Sequence, residues 1–239
     1  DLKDILNMED GKSENWSNYD WFHNNSVWYD EATNSITLSG RHQDAVINID
    51  YTSGKLNWII GDSTNWSSEY QKYFFTPVGK DFEWQWSQHA AMITPDGYVF
   101  IFDNGNNKSK DSTKYVEASK SYSRGVMYKI DTTNMTIEQV YEYGKERGSD
   151  WYSDWISGVE SLDGTKDHLW ITAGSHLYSE SEDRSDFYPK DMFAEGLTKT
   201  TYIDQVDNGE LTFELTISGD SYNALTYRSF RMPLYTQYL

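Results

Sequence analysis

The 239-residue chain has no cysteine, which excludes disulfides, thiolate metal sites and a cysteine nucleophile. It is short of basic residues: 20 Lys and Arg stand against 38 Asp and Glu, a net charge of −18. A molecule of that sign repels a nucleic-acid backbone or an anionic membrane, so neither is expected as a partner. No stretch approaches the ~20 apolar residues of a membrane span. The opening residues, Asp1-Leu2-Lys3-Asp4-Ile5-Leu6, lack the pattern of a signal peptide. Helix-forming runs of Ala, Leu and Glu are scarce. Short apolar stretches separated by Gly, Asn, Asp and Ser fill the chain instead, with ten Trp and nineteen Tyr. That balance predicts an all-β protein.

The stretches repeat. A first unit opens on Asp20-Trp21-Phe22-His23-Asn24-Asn25-Ser26, continues through Ser39-Gly40-Arg41-His42-Gln43 and reaches Ile49-Asp50. A second opens on Trp86-Ser87-Gln88-His89, passes Phe102-Asp103-Asn104-Gly105 and reaches Ile130-Asp131. A third has Trp155-Ile156-Ser157 where the others carry histidine, and reaches Ile203-Asp204. Each reads as four short strands: near 23–29, 35–39, 43–50 and 55–60; near 89–94, 98–102, 124–131 and 136–143; near 156–161, 168–172, 199–204 and 210–217. Four-stranded units of this length are the signature of β-propeller blades. The expected division is a lead-in at 1–19, blade one with a long aromatic connection at 20–83, blade two at 84–148, blade three at 149–219 and further strand at 220–239. Residues 106–123 read as a mobile excursion, and Tyr178 to Asp191 as a solvated acidic stretch. Closed propellers use ~4–8 blades. The chain is therefore expected to be the C-terminal part of a longer protein, or to pair with another segment, with an N-terminal propeller half completing the ring.

The innermost strand of a blade comes first, and its start lies at the same end as the loop between strands two and three. His23, Asn25, Arg41, His42 and His89 are thus expected at one mouth of the central channel. Strand alternation would put His23 and Asn25 on the same side. Such a cluster suits an anion, since guanidinium and imidazole groups there offset the acidic surroundings. The plainer reading stands beside it: a histidine at a strand start also serves as a hydrogen-bonded tie between blades. A metal held by His23, His42 and His89 is the rival use, opposed by the fixed charge of Arg41 beside any cation. No metal and no cofactor are expected. Asp103 to Asn107 lacks the glycine and glutamate of a calcium loop. His168 and His176, near turns, read as structural or surface residues. Two further readings stay open: a non-catalytic propeller that binds glycans or proteins through its aromatics, and a glycosidase using Asp44 and Glu160.

At these residues the sequence resembles the bacterial arylsulfate sulfotransferases, the class that uses no nucleotide sulfate donor. The likeness rests on Asp20 to Ser26, Ser39 to Val46, Gln88 to Gly105, Ser123-Arg124-Gly125, Gln139 to Gly148 and Arg231 to Tyr235. It implies half of a six-bladed propeller, exported from the cytoplasm to the periplasm or beyond, and a homodimer. It further implies a sulfuryl group moved from an aryl sulfate donor to a phenol acceptor through a sulfated histidine. His89 would be that nucleophile, with His23, Asn25 and Arg41 holding the sulfuryl oxygens. Two departures accompany the likeness: a functional histidine of an earlier blade is missing, and so is a disulfide found in some members.

Overall fold

The computed structural model describes residues 20–178, 196–220 and 224–232. The expected lead-in, most of the acidic stretch and the end of the tail lie outside them. Three sheets carry the described chain. The first is an antiparallel meander of β1 (Asn24–Asp30), β2 (Ser35–Gly40), β3 (Ala45–Asp50) and β4 (Leu56–Ile60). The second is the meander β6 (His89–Ile93), β7 (Tyr98–Asp103), β8 (Arg124–Asp131) and β9 (Thr136–Tyr143). Its edge is lengthened by β5 (Thr76–Val78), which pairs with β9 in parallel. The third comprises β10 (Gly158–Ser161), β11 (His168–Tyr178), β12 (Thr198–Asp207) and β13 (Glu210–Gly219). The all-β expectation holds, and so do the positions of most strands.

Period-two patterning explains how the sheets stack. In β7, Val99 and Ile101 pack toward Val46, Trp58 and Ile60 of the first sheet. Their neighbours Phe100 and Phe102 face Leu169, Ile171 and Ala173 of the third. Strand β8 does the same, with Val126 and Tyr128 on one side and Met127 on the other. Successive side chains of a strand point to opposite faces, so a strand buried on both faces reads as a continuous apolar run. The middle sheet is thereby clamped between the other two. The far side of the first sheet is covered by its own connection: Trp66 and Phe74 join Ala45, Ile47 and Ile59. Trp66, Phe74 and Phe75 of this connection are therefore core, and Tyr70, Tyr73 and Phe82 pack against it half-buried.

Buried ion pairs close the second and third sheets from the side. Arg124, fully buried, meets Asp103 at 2.9 Å and Glu142 at 2.6 Å. Arg147 meets Asp204 at 2.8 Å and Glu214 at 2.7 Å. Removing one partner from such a pair leaves an uncompensated charge and costs ~3–5 kcal/mol.

Several expectations need correction. The tail at 224–232 contains no strand. Strand β12 runs past Ile203-Asp204 to Asp207, and the turn follows at Asn208-Gly209, both at positive φ (53° and 82°), as a tight hairpin requires. His176 is not near a turn: it sits buried within β11, its Nδ1 3.2 Å from the Tyr152 carbonyl. Residues 106–123 are anchored, because Lys110 reaches across to Asp44 at 2.6 Å. Among the described residues no helix is long and apolar enough to cross a membrane.

Candidate active site

Two β-bulges shape the site. Where β1 meets β2 the register shifts between Asn24 and Ser26, leaving Asn25 unpaired in the ladder. Where β6 meets β7 it shifts between His89 and Ala91, and Ala90 takes a positive φ of 60°. A bulge bends a strand and re-aims a side chain, and a non-glycine residue held at positive φ marks a place where the surroundings dictate the backbone. The Asn25 amide locks the two bulges together. It donates to the Gln88 carbonyl at 2.8 Å and accepts from the Ala90 N–H at 3.2 Å, gripping the backbone on both sides of His89.

His89 is buried, 2% exposed. Its Nδ1 lies 2.5 Å from the Ser157 carbonyl oxygen, just before β10. A carbonyl only accepts, so Nδ1 carries the proton and Nε2 keeps its lone pair. Among the described residues Nε2 has no hydrogen-bond partner. Burial pushes the His89 pKa down to about 3, and the charges of Arg228, Arg41 and His23 push the same way against the Ser157 carbonyl. The ring is therefore neutral at every physiological pH. Tyr227 packs its edge on the imidazole, with ring centroids 4.8 Å apart.

Arg41 opens a single 3-10 turn, Arg41–Gln43, between β2 and β3. Gly40 precedes it because a Cβ there would overlap the Phe22 ring. One Arg41 Nη2 donates to the Asp154 carbonyl at 3.0 Å, while Nε is buried without a partner. Burial lowers the Arg41 pKa, and the carboxylate of Asp154 counters it. His23 precedes β1 at a positive φ of 48°, outside the strand. The alternation expected to align it with Asn25 therefore does not operate. Its Nδ1 bonds the Asp20 carboxylate instead, and its ring lies 4.7 Å from that of His42. His42 Nδ1 sits 2.5 Å from the Asp20 carbonyl. Burial holds the His42 pKa below its ordinary value, and Arg41 and His23 add to that.

Asn25 thus joins the backbone around His89 across two sheets, the Arg41 backbone N–H donates to the His23 carbonyl at 3.2 Å, and the charges of Arg41 and His23 act on His89. The cation-binding alternative takes another form. Asp20, His23 and His42 offer ligand atoms within 4.8 Å of one another, and His89 is not among them. Both imidazole Nδ1 atoms there are already held by Asp20. Asp44, named for a glycosidase, is committed to Lys110 and to the Ser87 N–H at 2.5 Å. Glu160, its proposed partner, lies within β10 and accepts from the Arg231 N–H at 3.4 Å.

Sequence reasoning missed three contributors. Asp20 stood inside the first motif and Ser157 at the position equivalent to the histidines, so both carried a signal by place. Arg228 carried none. Its Nη2 donates to the Asn25 carbonyl, a contact across 203 positions of sequence.

A sequence model of the arylsulfotransferase (ASST) family matches residues 2–228 of the chain. The chain is 37% identical over 156 residues to the arylsulfate sulfotransferase AssT of Escherichia coli O6:H1, covering 59% of this chain. It is 34% identical over 156 residues to the arylsulfate sulfotransferase AssT of Lelliottia amnigena. The match spans 25% of the length of each of these relatives.

Proposed function

This chain belongs to the arylsulfotransferase family, and from that premise we propose that it carries the nucleophile and anion-holding groups of an aryl sulfotransferase. The donor is an aryl sulfate and the acceptor a phenol, with no nucleotide sulfate donor and no cofactor. The carrying observation is the His89 imidazole, kept neutral by burial and fixed in its tautomer by the Ser157 carbonyl, with Nε2 unengaged among the described residues.

In the first half-reaction the Nε2 lone pair forms a bond to sulfur while the sulfur–oxygen bond to the aryl group breaks. The electron pair leaves with the phenolate. In the second, the phenol oxygen attacks the same sulfur, its proton is lost to solvent, and the nitrogen–sulfur pair returns to the imidazole. Such a transfer has a loose transition state with charge spread over the equatorial oxygens, as in phosphoryl transfer. Fixed cationic donors then do most of the work. Arg41 supplies a rigid fork, pinned at Asp154 with Nε free to donate. His23, oriented by Asp20, holds a further oxygen, and the Asn25 amide keeps His89 in place.

The three meanders are read as consecutive blades of a six-bladed propeller. An exposed apolar row on β13 (Leu211, Phe213, Leu215 and Ile217) supports a neighbouring blade from an N-terminal half that completes the ring. Extracytoplasmic location and a homodimer follow from the family likeness. The test is intact-mass measurement of the full chain mixed with an aryl sulfate. A gain of one sulfuryl group mapping to His89, absent from His89→Ala, is expected. Retained transfer in His89→Ala removes the reading.

A further inference from the structure

Four arginines of the described residues sit partly or wholly inside the protein near the sheet interfaces, and they divide into two kinds. Arg124 and Arg147 each meet two carboxylates within 2.9 Å. Among the described residues, and unlike Arg124 and Arg147, Arg41 and Arg228 lie within ion-pair distance of no carboxylate. Both instead tether one Nη2 to a backbone carbonyl, of Asp154 and of Asn25. Among the described residues, both leave Nε buried with no partner. A buried donor left unmade is costly, and native structures rarely tolerate one without a missing partner to account for it. The charges of Arg41 and Arg228 both act on the His89 imidazole, so an anion bound there would meet both guanidinium groups.

The surroundings of Arg228 put it there. Its side chain lies over the start of β10: a methyl added at Gly158 would stand 3.4 Å from Arg228 Cγ. Gly158 follows Ser157, whose carbonyl holds His89. The Asn25 carbonyl that Arg228 grips belongs to the residue whose side chain clamps the backbone around His89. Its chain neighbour Tyr227 packs on the His89 ring. Independently, the Arg228 charge is felt at His89 more strongly than that of Arg41.

We propose that Arg228 is a further anion-holding catalytic residue, which donates from its guanidinium to an oxygen of the sulfuryl group transferred at His89, beside Arg41. The inference rests on the aryl sulfotransferase reading. Three equatorial oxygens receive donors from two forks, one on the turn between β2 and β3 and one on the tail. The nitrogen–sulfur bond forms as the aryl sulfur–oxygen bond breaks, and the electron pair of the broken bond leaves on the aryl oxygen. Both forks are anchored at one end, so neither has to reorganise as the bond to the aryl oxygen lengthens.

The test follows the rate of sulfuryl loading on His89 by rapid-quench mass measurement, with 4-nitrophenyl sulfate as donor and the full chain. Arg228→Ala is expected to load ~10²-fold more slowly, chiefly through kcat. Millimolar guanidinium ion is expected to restore part of that rate, which a purely structural loss would not allow. Arg228→Lys keeps the charge but not the fork and is expected to remain at least ~10-fold slow with an unchanged melting temperature. It carries the test if the alanine variant melts early. Wild-type loading in either variant, or a slow alanine variant that folds normally and ignores guanidinium, overturns the role of Arg228. Absence of any sulfuryl group on His89 in the unaltered protein instead removes the reading beneath it.

Discussion

The Nδ1 of His89 donates to the main-chain carbonyl of Ser157 across 2.5 Å, joining the first strand of the middle sheet to the entry of the next. This one bond sets the tautomer, and burial does the rest. With its pKa at about 3, the imidazole remains an unprotonated nucleophile well into acid. An ordinary histidine, with a pKa of ~6.5, would lose about tenfold in reactive form per unit below that value. The rate of sulfuryl loading is therefore expected to show no such fall between about pH 6.5 and pH 5. A stopped-flow profile with a tenfold-per-unit acid limb centred near 6.5 would contradict the assigned burial.

The same shift has a stability consequence with a fixed sign. In the unfolded chain His89 takes its proton near pH 6.5, whereas in the folded protein it resists until about 3. Between those values the unfolded state binds more protons, so stability rises with pH there and is lost as pH falls. Above the unfolded value the contribution is fully present. Comparing the unaltered protein with His89→Asn isolates this group from every other titration. The difference in unfolding free energy is expected to move against the unaltered protein by up to about 1.4 kcal/mol per unit on acidification below 6.5. Parallel denaturant curves at pH 7 and pH 5 check it, and a pH-independent difference would rule it out.

Much of this arrangement was legible beforehand, and the parts that were not share a physical cause. Strand positions followed from short apolar stretches bounded by turn residues, as in Tyr98–Asp103. The expectation that His23, Arg41 and His89 share one mouth rested on meander topology alone. The bulge at Ala90 did not, because an alanine at positive φ leaves no trace in composition; its cause is the Asn25 amide 65 residues away. The Ser157 contribution is a carbonyl, which every residue owns. Arg228 lies in a tail without strand periodicity and reaches its partner across 203 positions, a separation no local pattern encodes. Asp204 is the expected end of its strand, as Asp50 and Asp131 are of theirs. Those two do cap turns, at Ser53 and at Thr133 and Asn134, whereas Asp204 is paired inside β12.

Asn25 is a positioning residue, with both ends of its amide spent on the backbone around His89. Asn25→Asp replaces the donor with a second acceptor facing the Gln88 carbonyl, in a residue 7% exposed. A buried group left unsatisfied costs ~1–3 kcal/mol, so the aspartate variant is expected to be destabilised by that amount. Asn25→Ala is expected to lose less stability, since no repulsive pair is created, while its loading rate on His89 falls with KM for the donor little changed. Thermal unfolding and single-turnover loading on both variants test the pair of outcomes. An aspartate variant as stable as the parent would refute the hydrogen-bond assignment.

Asp44 ties three pieces of chain at the rim of the site. It follows the turn that bears Arg41 and His42 in a left-handed conformation, with φ of 49°. Its carboxylate accepts from the Ser87 N–H and pairs with Lys110, whose ammonium also donates to the Gln43 carbonyl at 2.9 Å. Asp44→Ala leaves the half-buried Lys110 without its counter-charge and the Ser87 N–H without its acceptor. Losing a charge-assisted hydrogen bond of this kind costs ~1.5–3 kcal/mol, part of which solvent recovers because both side chains keep some exposure. The lost tie is expected to show locally first. Residues 106–123 should become the earliest site of limited proteolysis, while β7 and β8 stay protected by their burial on both faces. Unchanged cleavage there, with Lys110→Ala also silent, would mean that the excursion is held by its remaining contacts at Tyr152 and Asp154 rather than by Asp44.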